Sequence, residues 1–114
     1  MAKDTLTAQE LLNACILKYS LVKMDWTNCY NLPSGLGFYG FTVKIDDKDN
    51  FFIVNDIEYT PGDSNISCMG WDKYTTLEDA YKHLDYLLAK LSRFERKYKR
   101  YLETQRLKKI KNDF

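Results

Sequence analysis

The chain has 114 residues, with 17 Lys/Arg, 16 Asp/Glu and one His, so its formal net charge is only +1. That length predicts a single domain over residues 1–114, because domains run to roughly 100–200 residues and no linker-like stretch interrupts the sequence. Cys15, Cys29 and Cys68 are odd in number, and none has a second Cys two or three residues away. This argues against a disulfide scaffold, a zinc pair or a redox pair and points to a reduced, intracellular setting.

Aromatic residues make up 15% of the chain, and since each can bury ~150–250 Å² they supply much of the expected core. Residues 1–7 are polar and lack an apolar stretch behind a basic start, so neither a signal peptide nor a membrane span is expected. The predicted location is cytoplasmic, or a host cytoplasm. The bias toward Lys, Asn, Asp and Tyr fits a low-GC bacterial or viral genome.

In chain order, Thr7 with Glu10 three residues on forms a capping box, in which hydroxyl and carboxylate satisfy each other's backbone N–H groups. Leu11, Leu12, Cys15, Ile16, Tyr19 and Val22 follow at helical spacing, predicting a helix over 8–21. Val22, Met24 and Trp26 alternate with polar residues as in a short strand, and 31–35, containing Pro33 and Gly35, breaks the chain. From Phe38 the period is two, with Phe41, Val43 and Ile45 on one face, which predicts a half-buried strand to Asp46.

A polar turn over 46–50 leads to a second strand over 51–59, in which Ile53, Ile57 and Tyr59 share a face with Asn55. Thr60-Pro61-Gly62-Asp63 meets the demand of a type II turn, Pro where φ near −65° is wanted and Gly where φ is positive. A third strand is predicted over 65–71. Thr75 and Thr76 each precede an acid by three residues, so a helix starts there. Leu77, Ala80, Leu84, Leu87, Leu91, Phe94, Tyr98 and Tyr101 form its seam, and no Gly or Pro interrupts to the last residue.

The predicted fold is therefore α+β: an N-terminal helix, a three- or four-stranded antiparallel meander, and a long C-terminal helix across one sheet face. Residues 95–114 are predicted to extend beyond the sheet as a basic projection. At about 1.5 Å per residue the helix spans roughly 50 Å, more than a small sheet covers. About two of its heptads are convincingly apolar and Gln105 and Lys108 fall at core positions, which leaves homodimerisation through the helix as one option.

Three motifs invite a chemical reading and fail in context. Gly35-Leu36-Gly37-Phe38-Tyr39-Gly40 spells G-x-G-x-x-G, but a dinucleotide site needs a strand before it and a helix after, whereas here a loop precedes and a strand follows. Asp47, Asp49 and Glu58 match three positions of a calcium-binding loop, yet Phe51 and Phe52 sit where an oxygen ligand and a Gly are required. His83, the sole His, has no evident Cys or Ser partner and reads as structural or exposed. No metal, cofactor or catalytic residue is assigned, and the chain is read as non-enzymatic. A small enzyme using a pair of carboxylates ranks last.

The strongest functional signal is where the charges lie. Residues 90–111 hold ten Lys/Arg against two Glu, a net of +8, whereas residues 1–89 hold seven Lys/Arg against thirteen Asp/Glu, a net of −6. Lys90, Arg93, Lys97 and Arg100 line one side of the predicted helix, Arg96, Lys99 and Arg106 another, with Tyr98 and Tyr101 interleaved as stacking candidates. Asp46, Asp47, Asp49, Asp56, Glu58, Asp63 and Asp72 fall on the sheet and its turns as an acidic counterpart. Oppositely charged regions steer encounters and select partners. The expectation is a binding protein, a small regulator or inhibitor of nucleic-acid-handling machinery of the type phages and mobile elements encode. It would act on a protein partner by covering a charged working surface, with Trp71 and Tyr74 as anchor candidates. Direct nucleic-acid contact through the C-terminal helix is the alternative.

Overall fold

In the computed structural model of the protein, residues 6–25 and 28–112 are described. The first helix, α1 (Ala8–Tyr19), begins at the capping box: the Glu10 amide donates to Thr7 Oγ1 at 3.1 Å and the Thr7 amide to Glu10 Oε1 at 2.9 Å. It stops at Ser20, a non-glycine residue in the left-handed region at φ 55°. Leu11, Leu12, Cys15 and Tyr19 are buried as the spacing predicts, but Val22, which lies past the stop, is exposed.

Six strands form one mixed, curled sheet rather than a plain meander: β1 (Val22–Lys23), β2 (Cys29–Asn31), β3 (Gly37–Tyr39), β4 (Val43–Ile45), β5 (Phe51–Glu58) and β6 (Asn65–Tyr74), in spatial order β1-β2-β4-β5-β6-β3. The antiparallel run β4-β5-β6 is the expected meander, and β2 and β1 extend it antiparallel at one edge. At the other edge β3 pairs in parallel with β6. The one strand expected over 38–46 is therefore two, which flank opposite sides of the β5–β6 hairpin. Gly40, at φ 116°, lies between them, close to Cys68. The predicted alternation of Val22 with Met24 and Trp26 is realised only as the short β1, and Trp26 lies outside the described residues.

The curl has a local cause in Gly70, which takes φ 62° inside β6, where a Cβ would lie 2.7 Å from Asn55 Nδ2. Along the hairpin every residue from Phe51↔Tyr74 to Glu58↔Ser67 has a register partner except Asn55 and Gly70, which lie opposite each other. A left-handed residue inside a strand breaks the ladder and sharpens its twist. At the hairpin tip the expected turn forms, with the Asp63 amide donating to the Thr60 carbonyl at 2.9 Å and Gly62 at φ 92°.

The second helix, α2 (Leu77–Asn112), has 36 residues. Thr76 caps it, its hydroxyl accepting from the Asp79 amide at 3.3 Å. Ala80, Leu84, Leu87 and Leu91 are fully buried and Phe94 nearly so. Each buried Leu contributes about 1.5–3 kcal/mol relative to exposure, so this seam fixes the helix on the sheet. It faces Val43, Phe51, Ile53 and Ile57 within a core that α1 closes from one side. There the Tyr19 hydroxyl lies 2.7 Å from Asp85 Oδ1 and 3.0 Å from the Tyr81 carbonyl. Burial, then the bond to Asp85, pushes the Tyr19 phenol well above its usual range.

The helix runs alongside β5 in the same direction. His83 meets Val54, Lys90 meets Asp56, Phe94 and Tyr98 meet Tyr59, and Tyr101 meets Gly62. From His83 to Phe94 eleven helical residues rise about 16 Å, and from Val54 to Tyr59 five extended residues about 16 Å, so the two elements stay in step to the base of the hairpin turn. Beyond Tyr101 the sheet has ended and the helix continues alone. This gives the molecule its extents of 72 × 24 × 22 Å.

Candidate functional site

Arg93, Arg96, Lys97 and Arg100 follow the i, i+3, i+4, i+7 pattern of one helix face. All four are exposed and line a shallow depression of about 220 Å³. Lys99 and Arg106 are exposed elsewhere on the same helix. Lys90 is placed differently: its side chain is 18% exposed and its ammonium donates to Asp56 Oδ1 at 2.6 Å, the one ion pair among the described residues. Tyr98 is half-buried, edge-on to Tyr59 at 6.5 Å, and Tyr101 packs over Gly62, so both tyrosines lean on the hairpin tip.

The Asp56 carboxylate feels two opposed effects. Burial works to raise its pKa, and bonds from Lys90, the Ile57 amide and the Tyr86 hydroxyl outweigh it, holding the group below the usual carboxylate range. The same bond to Asp56 raises Lys90. Asp46 is held low by the Asn50 amide, the Asn50 side chain and the Lys48 amide, bonds that shape the 46–50 turn. Asp63 accepts from the Tyr39 hydroxyl and the Asn65 amide. Of the seven acids, Asp47, Asp49, Glu58 and Asp72 are exposed.

Because Phe51 pairs with Tyr74 and the chain enters α2 three residues later, Asp46, Asp47, Asp49 and Asp72 lie near the start of α2. The basic segment lies toward its far end. Glu58 and Asp63 sit in between, at the hairpin tip. The structure brings the four distal cations together and separates them from the acidic turn, but does not gather all seven acids into one patch.

The remaining motifs have structural roles. Gly37 has no room for a side chain because the Asn65 carboxamide occupies the space, and Ser34 Oγ donates to Glu95 at 2.9 Å, tying this loop to α2. Asp47 and Glu58 stand at opposite ends of β5, and no group of three His, Cys, Asp or Glu among the described residues could hold a metal. Burial pushes the Cys15 and Cys68 thiols up to about 11, far from the thiolate that reactivity requires.

His83 stacks between Tyr74 at 5.5 Å and Tyr86 at 5.7 Å, with Nε2 2.7 Å from the Val54 carbonyl. That carbonyl lacks a strand partner because the Thr42 amide, which would have met it, bonds instead to Tyr30 O and Asn31 Oδ1. Beside the stack lies an open groove of about 770 Å³, between the end of β6 and the first turns of α2. Its signal in the sequence was faint: Tyr86, three residues after His83 and off the apolar seam.

In comparisons with known proteins, no family model, no curated protein and no solved structure matches the chain. Among the described residues, no helix is long and apolar enough to cross a membrane.

Proposed function

We propose that the chain is a non-enzymatic binding protein, a regulator or inhibitor of nucleic-acid-handling machinery of the phage or mobile-element type, acting by charge-complementary occlusion of a protein partner. The observation that carries this reading is the exposed face of Arg93, Arg96, Lys97 and Arg100, held by one continuous helix away from the acidic 46–50 turn. Cations left unpaired on a rigid element are available to an acidic partner at little ordering cost. The test is affinity capture from host lysate treated with nuclease, at moderate salt. A stable protein partner is expected, lost when Arg93, Lys97 and Arg100 are all replaced by Glu. Recovery of no partner under these conditions counts against the reading.

Direct nucleic-acid binding is a second reading, favoured by the same four cations, three of them arginines whose planar fork suits phosphate. It predicts duplex affinity that falls with salt at a log–log slope of about −0.9 per phosphate contacted. Titration of the wild type and the triple Glu variant with labelled duplex separates the two readings. An unchanged slope in the variant removes the second.

A further inference from the structure

The backbone of β6 offers a second interaction surface, independent of the charged helix. The Val54 amide donates to Thr42, so the peptide groups of Phe52 and Val54 point toward β4 and those of Phe51 and Ile53 toward β6. Across the hairpin, Tyr74 and Asp72 therefore point inward to β5, while Trp71 and Lys73 present their N–H and C=O groups outward. β3 covers that outward edge only along Asn65–Ser67. Past Ser67 no strand among the described residues pairs with it, and α2 packs along β5, leaving the 770 Å³ groove between itself and the end of β6.

We propose that the outer edge of β6 at Trp71 and Lys73 is a docking site for an extended peptide strand of another protein. The strand would add to the sheet and lay alternate side chains into the groove against α2. Open main-chain groups beside a helix-walled groove are the requirement of strand addition, in which backbone bonds supply affinity and alternate side chains supply specificity. The other side chains would lie beside Trp71, which is 58% exposed and rests on Phe41 at 5.8 Å.

Charge selects the kind of occupant. The groove is lined by Asp72 and Asp79 together with Lys73 and Lys82, a balanced set that suits a segment of low net charge and turns away a polyanion. It is therefore a different partner surface from the basic face. A second copy of the chain fits poorly, since antiparallel self-pairing centred on Asp72 would set two Asp72 carboxylates opposite each other, a destabilising arrangement.

Hydrogen exchange on the unliganded protein gives the first test: the Trp71 and Lys73 amides are expected to exchange fast while Asp72 and Tyr74 are protected. Slow exchange at Trp71 and Lys73, or a dimer in sedimentation that protects them, would mean the edge is already occupied and would overturn the proposal. Second, linear 12-residue peptides selected from a displayed random library are expected to protect those two amides on binding. Compared with Lys73→Ala, which loses the same ammonium, Lys73→Pro additionally removes the outward N–H, a change edge strands tolerate. It is expected to weaken the selected peptides at least tenfold, while the Glu variant of Arg93, Lys97 and Arg100 binds them as wild type. Failure to select any peptide, peptides that perturb other residues, or full binding by Lys73→Pro each reject the site. If Lys73→Pro does not fold, peptides N-methylated at alternate residues replace it, with the same tenfold loss expected in one of the two phases and no loss in either rejecting the site.

Discussion

The two halves of α2 share a helix but not an environment. From Leu77 to Tyr101 the seam meets the sheet, and Ala80, Leu84, Leu87 and Leu91 are wholly removed from water. From Leu102 onward the same rotation exposes Leu102 at 48%, Leu107 at 66% and Ile110 at 48%. Helical stability in proteins comes chiefly from packing an apolar face, so the proximal half is held by the core. The distal half persists through continuity with it and through local propensity. Side chains there serve contact with other molecules more readily than they serve the fold.

Leu87→Ala sharpens this contrast most. A fully buried Leu leaves a cavity, and a loss of about 2–5 kcal/mol is expected in denaturant unfolding, against under about 0.5 kcal/mol for Leu107→Ala. Equal costs at the two positions would break the comparison. Next in size is Gly70→Ala, which forces a side chain into φ 62° and against Asn55. A cost of roughly 1–3 kcal/mol is expected, and adding Asn55→Ala should recover the steric part but not the backbone part.

Smaller again is the Asp56–Lys90 pair at the middle of the helix. Asp56→Asn is expected to cost about 0.5–1 kcal/mol near neutral pH, since the pair is partly exposed and screened. The Asp56 pKa is lowered in the folded state. Its contribution is thus fully present above the ordinary carboxylate value of about 3.9 and is lost as pH falls through the lower folded value. The Lys90 pKa is raised, so the contribution of Lys90 is present below the ordinary value of about 10.4 and lost as pH rises through the raised one. Thermal melts across pH should show the wild-type advantage over Asp56→Asn shrinking at both extremes. The smallest expected effect is truncation after Tyr101, since positions 102–110 are all exposed. The melting midpoint should hardly move, and amides from 102 onward in the intact chain should exchange far faster than those around Leu87.

Much of this layout was legible because it rests on local chemistry. The Thr7–Glu10 box, the Pro61-Gly62 turn and the Thr76 cap are each set by neighbours a few residues apart, and the Leu84–Leu91 seam declares itself by spacing. What escaped was decided at long range. A three-residue strand such as Cys29–Asn31 is too short to show a period, and the parallel pairing of Gly37–Tyr39 with Asn65–Ser67 joins segments 28 residues apart in the chain. The charge separation was also readable, since it is a property of the sequence. That Asp56 would take up Lys90, and that Tyr98 and Tyr101 would lean on the hairpin tip, required knowing that α2 keeps step with β5.

The contact of Tyr101 with Gly62 carries one more consequence. The ring lies 3.3 Å from where a Gly62 Cβ would stand, the last of the aromatic contacts, after Phe94 and Tyr98 on Tyr59, that fasten the hairpin tip to α2. Lengthening the Thr60–Asp63 turn would therefore release α2 only from Tyr101 onward, Arg106 included, while the face of Arg93, Arg96, Lys97 and Arg100 precedes that contact and would keep its place over the sheet.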